Sequence, residues 1–265
     1  MSRRIARLVL LLSFLAAPAL CRAAETVSIA AAASLVYVLD ALNAPFAKAN
    51  PHVAVTSEVG SSGSLVVQIE NGAPYDVFIS ADMDYPRRLI ADGSASGSSL
   101  VLLATGRLVL WSTSPAIDLS SVKAALSSPA LRKLAIANPA TAPYGQAAEQ
   151  ALGRLGLSQA VKSRLVVGEN IAQAAQYVET GSAEAGFLAL SIVLSPRLEH
   201  RGHWIEVPQG LFDPIEQGGV LTVRGAGNPA ARRYLRFLAT SPEARDVFRR
   251  FGFGDPSPGP ARPAK

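Results

Sequence analysis

From Thr26 onward, apolar runs of four to seven residues alternate with longer segments of helical period. That alternation is the tightest constraint on this chain: it calls for an α/β architecture whose strands run mainly parallel. TVSIAAA (26–32) reads as a strand and LVYVLDALNAPFAKAN (35–50) as a helix, with Leu35, Leu39, Leu42 and Phe46 on one face and a kink at Pro45. HVAVTSEV (52–59) alternates as a strand, SLVVQIENG (64–72) is a helix closed by Gly72, and YDVFISA (75–81) is a third strand. The opening unit is therefore βαβαβ.

The next run, LVLLATGRLVLWS (100–112), is broken at Thr105-Gly106, where a chain can pass from one lobe to another. A second series of units follows. Asp118 and Ser120-Ser121 offer caps for VKAALSS, KLAIANP (133–139) and LVVG (165–168) are strands, and YGQAAEQALGRLG (144–156) and IAQAAQYVETG (171–181) are helices. AEAGFLALS (183–191) and HWIEV (203–207) add strands, and QGGVLTV (217–223) makes a return strand. Helices opening at Asn228 and Ser241 finish the fold. The expected organisation is a first lobe of residues 25–104 and 218–255, a second lobe of 105–217, a cleft between them, and a Pro-rich disordered tail at 256–265.

Residues 1–24 carry Arg3, Arg4 and Arg7 ahead of the apolar run Leu8–Leu20 and end in small residues, the pattern of a secretory signal cleaved after Ala23 or Ala24. The run is too short for a membrane anchor, which needs about 18 or more apolar residues. Leu20 before Cys21 does not suit a lipoprotein signal, so the exported chain has no cysteine, and neither a disulfide nor a thiolate metal site is open to it. Four arginines and no acidic residue leave with the signal, so the formal charge of +5 falls to +1. That removes the main support for a nucleic-acid partner. The basic stretches ARRYLRF (231–237) and FRRFG (248–252) read as solvated helix faces.

Two small-residue turns carry the chemistry: AAAASL, ending in Ser34 and Leu35, and VGSSGSL, centred on Ser62. Each joins a strand to a helix, where free N–H groups and a hydroxyl can converge on an oxyanion without any positive side chain. Each serine taken alone reads more simply as a helix cap. Their repetition at adjacent strand ends, where parallel sheets bind ligands, favours a site. Asp76, Asp82 and Asp84 are common acidic spacings, with Asp82 read as a cap. His52, His200 and His203 are expected at the surface, and Trp111, Trp204, Tyr37 and Tyr177 in the core or between lobes.

The stretches AAASL (31–35), GSSGSLVVQIENGAPYDVFISAD (60–82), NPATAPYGQAAEQAL (138–152), GENIAQA (168–174), AGFLALS (185–191) and FGF (251–253) occur in the order found in the periplasmic molybdate-binding proteins of ABC transporters, the ModA family, which this chain resembles over nearly its whole exported length. The resemblance implies a two-lobed solute-binding fold of type II with the ligand in the interlobe cleft. It also implies a periplasmic, monomeric, non-enzymatic protein that delivers molybdate or tungstate to a membrane permease and its ATPase. The implied ligand set is Ser34 with the Leu35 N–H, Ser62, Tyr144 and the Ile171 N–H, holding molybdenum as its oxyanion with no direct metal ligand and no cofactor. Where some members have a tyrosine in the strand matching GFLALS, this chain has Ala189, and Tyr144 in APYG supplies the phenol instead.

Molybdate at neutral pH only accepts hydrogen bonds, so a donor-only site suits it and disfavours protonated phosphate. Another tetrahedral oxyanion, sulfate or phosphate, is the alternative ligand; a ferric-ion carrier would want tyrosinate, histidine or carboxylate ligands. A secreted serine hydrolase acting through Ser62 is weaker still, because GSSGS misses the G-x-S-x-G spacing.

Overall fold

The computed structural model describes residues 25–256; the expected signal (1–24) and all of the expected tail but Pro256 lie outside the described residues. Ten strands form two five-stranded sheets. The first combines β1 (Glu25–Ala32), β2 (Val53–Gly60), β3 (Val77–Ser80), β4 (Val101–Gly106) and β10 (Ile215–Leu221) in the order β2-β1-β3-β10-β4. The second combines β5 (Leu108–Ser112), β6 (Leu134–Ala137), β7 (Leu165–Gly168), β8 (Ala185–Ala189) and β9 (His203–Glu206) in the order β7-β6-β8-β5-β9. Each sheet is parallel except for one inserted strand: β10 runs antiparallel to both β3 and β4, and β5 to both β8 and β9. These inserted strands are the ones the chain forms just after changing sheets.

Arg107 alone separates β4 from β5, so the break read at Thr105-Gly106 is where the chain leaves one sheet for the other. The return comes earlier than expected. β10 begins at Ile215, which pairs with Gly106, so the boundary placed between residues 217 and 218 falls inside a strand. The acidic and amide residues Glu216 and Gln217 hide that start, because they interrupt the apolar pattern of a strand otherwise sandwiched on both faces.

Burial explains why the strands read as nearly continuous apolar runs. On β1, Val27, Ile29 and Ala31 pack into the cluster built with the helices Val38–Ala49, Pro229–Thr240 and Pro242–Arg250, while Ala30 faces the opposite cluster of Leu65, Val66, Ile69 and Leu89. The first helix starts at Val38, three residues later than its sequence pattern. Ala33–Leu35 form a short 3-10 turn instead, although Leu35 is as buried as expected. Pro45 lies inside that helix. Asn228 and Ser241 cap the last two helices through Ala230, Ala231 and Ala244, and Gly72 ends the second helix at a φ of 87°.

Trp204 departs from its expected place. It is 40% exposed on β9, the edge strand, whereas Trp111 is fully buried on β5 beside it. Tyr37 and Tyr177 are half-buried at the margin of the core. His52, His200 and His203 are exposed. No helix among the described residues is long and apolar enough to cross a membrane.

Candidate functional site

The carboxyl ends of β1 and β2 open into the two turns singled out in the sequence, and the second lobe closes over them. Between the lobes lies a small cavity lined by Ser34, Ser61, Ser62, Tyr144, Asn170 and Ile171 together with small residues such as Ala32, Ala33, Ala81 and Ala142. Ser34, Ser62, Tyr144 and Ile171 therefore come together around one space. Leu35 does not line it: its side chain enters the core of the first lobe, and only its backbone stands next to Ser34.

The lining serines use their hydroxyls differently. Ser62 is the first residue of the helix Ser62–Glu70, and its Oγ accepts the Ala81 N–H at 3.0 Å, so its own proton is free for the cavity. Ser61 serves the helix: its Oγ accepts from the Ser64 N–H at 3.3 Å and donates to Ser64 Oγ at 2.7 Å. That answers for the serine pair: Ser61 caps and Ser62 faces the cavity. Ser34 accepts no helix N–H, so the capping role open to it in the sequence is not the one it takes.

The second lobe contributes two more helix starts. Pro143 fixes the first turn of the helix Pro143–Arg154, which places Tyr144 in the lining at 1% exposure. Asn170 caps the helix Ile171–Glu179 by accepting the Ala172 and Gln173 N–H groups at 3.0 and 3.1 Å, and the cap leaves the Ile171 N–H unused. Among the described residues no Lys, Arg, His, Asp or Glu lines the cavity, so what it can offer an anion is helix N-termini and neutral polar side chains.

Burial pushes the Tyr144 phenol well above its ordinary pKa, with the Ser34 side chain pulling it partway back. The two oxygens face each other without closing a well-formed hydrogen bond. Tyr144 is consequently a neutral O–H donor throughout the physiological range. Anion affinity should stay flat between about pH 6 and 9; calorimetric titrations that showed a loss centred within that window would mean that the phenol ionises there.

The lobes touch directly. The Gly63 N–H donates to the Thr141 carbonyl at 2.9 Å, and Ser191 Oγ donates to the Ser34 carbonyl at 2.7 Å. Ala32, Ala33 and Ala81 join the apolar cluster of the second lobe. This is a closed arrangement.

Other sequence candidates resolve locally. Asp82 accepts the Asp84 N–H at 3.0 Å at the start of the helix Asp84–Ala91, and Asp76 is buried against the Ser28 N–H and Arg224. Among the described residues no group of three His, Cys, Asp or Glu side chains is placed to hold a metal. Two participants went unread in the sequence: Gln217, fully buried on β10 beside Ser34, and Gly106, against which Tyr144 Oη packs. A glutamine followed by two glycines in an otherwise apolar strand was the available signal.

Comparison with known proteins agrees with this geometry. Residues 27–254 match the family described as bacterial extracellular solute-binding protein. The molybdate-binding protein ModA of Azotobacter vinelandii is 41% identical over 254 residues, covering 96% of this chain and 99% of that protein. ModA of Rhodobacter capsulatus is 40% identical over 236 residues, covering 89% and 90%. The solved structure of the Azotobacter vinelandii periplasmic molybdate-binding protein superimposes with a TM-score of 0.81 at 34% identity, over 87% of this chain and 100% of that one. With its two sheets, its interlobe cavity and these relatives, the chain belongs to the bacterial extracellular solute-binding proteins and, within them, to the ModA family.

Proposed function

We propose that this protein is the substrate-binding component of a molybdate ABC importer. It captures molybdate between its lobes through Ser34, the Leu35 N–H, Ser62, Tyr144 and the Ile171 N–H. The observation that carries the reading is the lining itself: a small interlobe cavity ringed by hydroxyls and helix N-termini, without a charged side chain. A fully deprotonated tetrahedral dianion asks for donors on every side and offers nothing in return, and this lining answers that demand. Hydrogen bonds to a charged partner contribute about 1.5–3 kcal/mol each, so a handful supports micromolar to nanomolar binding, about −8 to −12 kcal/mol.

Tungstate, of nearly the same size and charge, binds the same donors. The protein acts in the periplasm as a monomer after its signal is removed, and hands its anion to a permease driven by an ATPase. It performs no catalysis: Ser62 has no imidazole beside it, the three histidines lying at the surface, and its oxygen is held by the Ala81 N–H. The two lobes that supply the donors separate in the open form and meet around the anion.

Titration calorimetry of the exported chain with molybdate, tungstate, sulfate and phosphate tests the reading. One-to-one binding of molybdate and tungstate, with sulfate and phosphate much weaker, is the expected result. A preference for sulfate or phosphate would leave the fold in place and reassign the ligand.

A further inference from the structure

Tyr144 Oη and Gln217 Nε2 are both buried and both lack a hydrogen-bond partner, and they meet at one place. A methyl placed on Gly106 would stand 2.2 Å from Tyr144 Oη and 3.1 Å from Gln217 Nε2, so both atoms pack over the same glycine at the point where the chain changes sheets. The other end of the carboxamide, Gln217 Oε1, accepts from Ser34 Oγ at a long 3.4 Å. Gln217 does not itself line the cavity. It stands behind two hydroxyls that do, on a strand whose register with β4 shifts between Gln217 and Gly218. A fully buried carboxamide with two unsatisfied N–H donors is costly unless some state of the protein uses them.

Ser62 shows what such a group can do. Its oxygen is held from behind by the Ala81 N–H, and one lone pair is thereby occupied, so the proton is left to point at the cavity. Ser34 and Tyr144 have no backbone donor in that position, and in the present arrangement the Ser34 proton points away from the cavity, at Gln217 Oε1. When an anion takes the Ser34 proton, Oε1 loses its donor. The other end of the carboxamide, Nε2, stays on the Gly106 side beside Tyr144 Oη, where it can supply the donor that the phenol oxygen lacks.

We propose that Gln217 is the positioning residue that makes Tyr144 a committed donor: with the anion bound, Gln217 Nε2 donates to Tyr144 Oη, and the phenol proton is left to point at the anion. The inference rests on the anion-site function above and adds a source of selectivity to it. A phenol oxygen that already accepts an N–H from behind is a poorer acceptor for the proton of hydrogenphosphate than an unrestrained one, which is free to rotate. Rejection of protonated oxyanions is thus reinforced from outside the cavity.

The test is the Gln217→Met variant, similar in length but without donors, titrated with molybdate, sulfate and phosphate beside the wild type after thermal unfolding confirms that it folds. Molybdate and sulfate binding should weaken about tenfold or more, while phosphate weakens less or tightens, so that the ratio of phosphate to molybdate dissociation constants falls about tenfold. Unchanged affinities, or an equal loss for all three anions, would overturn the proposal, the second by reducing Gln217 to packing. Should Gln217→Met fail to fold, Gln217→Glu carries the same test: an acceptor-only carboxylate draws both hydroxyl protons away from the cavity, and wild-type molybdate affinity in that variant would equally overturn it. A wild-type protein that bound no molybdate would instead sink the function on which the inference rests.

Discussion

Gly106→Ala should abolish tight molybdate binding, lowering affinity by about a hundredfold or more, while the ligand-free protein remains folded. The added methyl would sit 2.2 Å from Tyr144 Oη, 3.0 Å from Ile215 Cγ2 and 3.1 Å from Gln217 Nε2. Tyr144 is 1% exposed and its ring cannot yield sideways in a close-packed interior. Its oxygen can move only into the cavity, where the anion belongs, or away with the second lobe. Since Gly106 ends β4 in one sheet and Tyr144 belongs to the other lobe, parting the lobes relieves the overlap. Calorimetry gives the affinity, and small-angle scattering gives the shape. The variant should show little compaction when molybdate is added, whereas the wild type compacts. Adding Tyr144→Phe, which removes the clashing oxygen, should restore much of the closure without restoring the lost donor. Wild-type affinity in Gly106→Ala alone would show that Tyr144 does not work from its observed position.

Ser62→Ala should weaken molybdate binding by roughly ten- to a hundredfold, the worth of one hydrogen bond to a charged acceptor. It should also reduce the stability of the ligand-free protein by about 1–3 kcal/mol, because the buried Ala81 N–H loses the oxygen it donates to. The two effects separate by method, calorimetry reading the first and denaturant unfolding without anion the second. Ser61→Ala is the control: it removes a helix cap, costs about 1 kcal/mol of stability and leaves the anion affinity near that of the wild type. A reversed pattern, with Ser61→Ala the weaker binder, would exchange the roles assigned to these neighbours.

Much of the first lobe could be read from the chain because its signals are local. β1, the helix after Ser61 and the stop at Gly72 each depend on residues within one or two turns. The sequence pattern starts the first helix too early because Leu35 has the right spacing for its apolar face and is in fact buried, yet the turn Ala33–Leu35 is wound as 3-10. The pattern does not show that Trp204 is exposed, because an aromatic in a strand fits an interior strand as well as an edge. Which strand becomes the edge is set by the sheet order, and that depends on β5 inserting between β8 and β9. The same holds for Gln217, whose position behind Ser34 follows from β10 inserting antiparallel between β3 and β4, a pairing between segments more than a hundred residues apart. Of the site, residue chemistry alone pointed to the two serine turns. Tyr144 and the Ile171 N–H come from the other lobe, with no spacing pattern to tie them to Ser34, and only the resemblance to a family brought them in.

The division of the lining between the lobes has a consequence for how cargo leaves. Ser34 and Ser62 stand on one lobe, Tyr144 and Ile171 on the other, and contacts such as Gly63 to Thr141 and Ser34 to Ser191 close the seam. Prising the lobes apart withdraws Tyr144 and the Ile171 N–H at once and admits water to the remainder. An ion held firmly in the shut protein therefore becomes loosely held in a single mechanical step, with no proton, metal or competing solute needed to expel it.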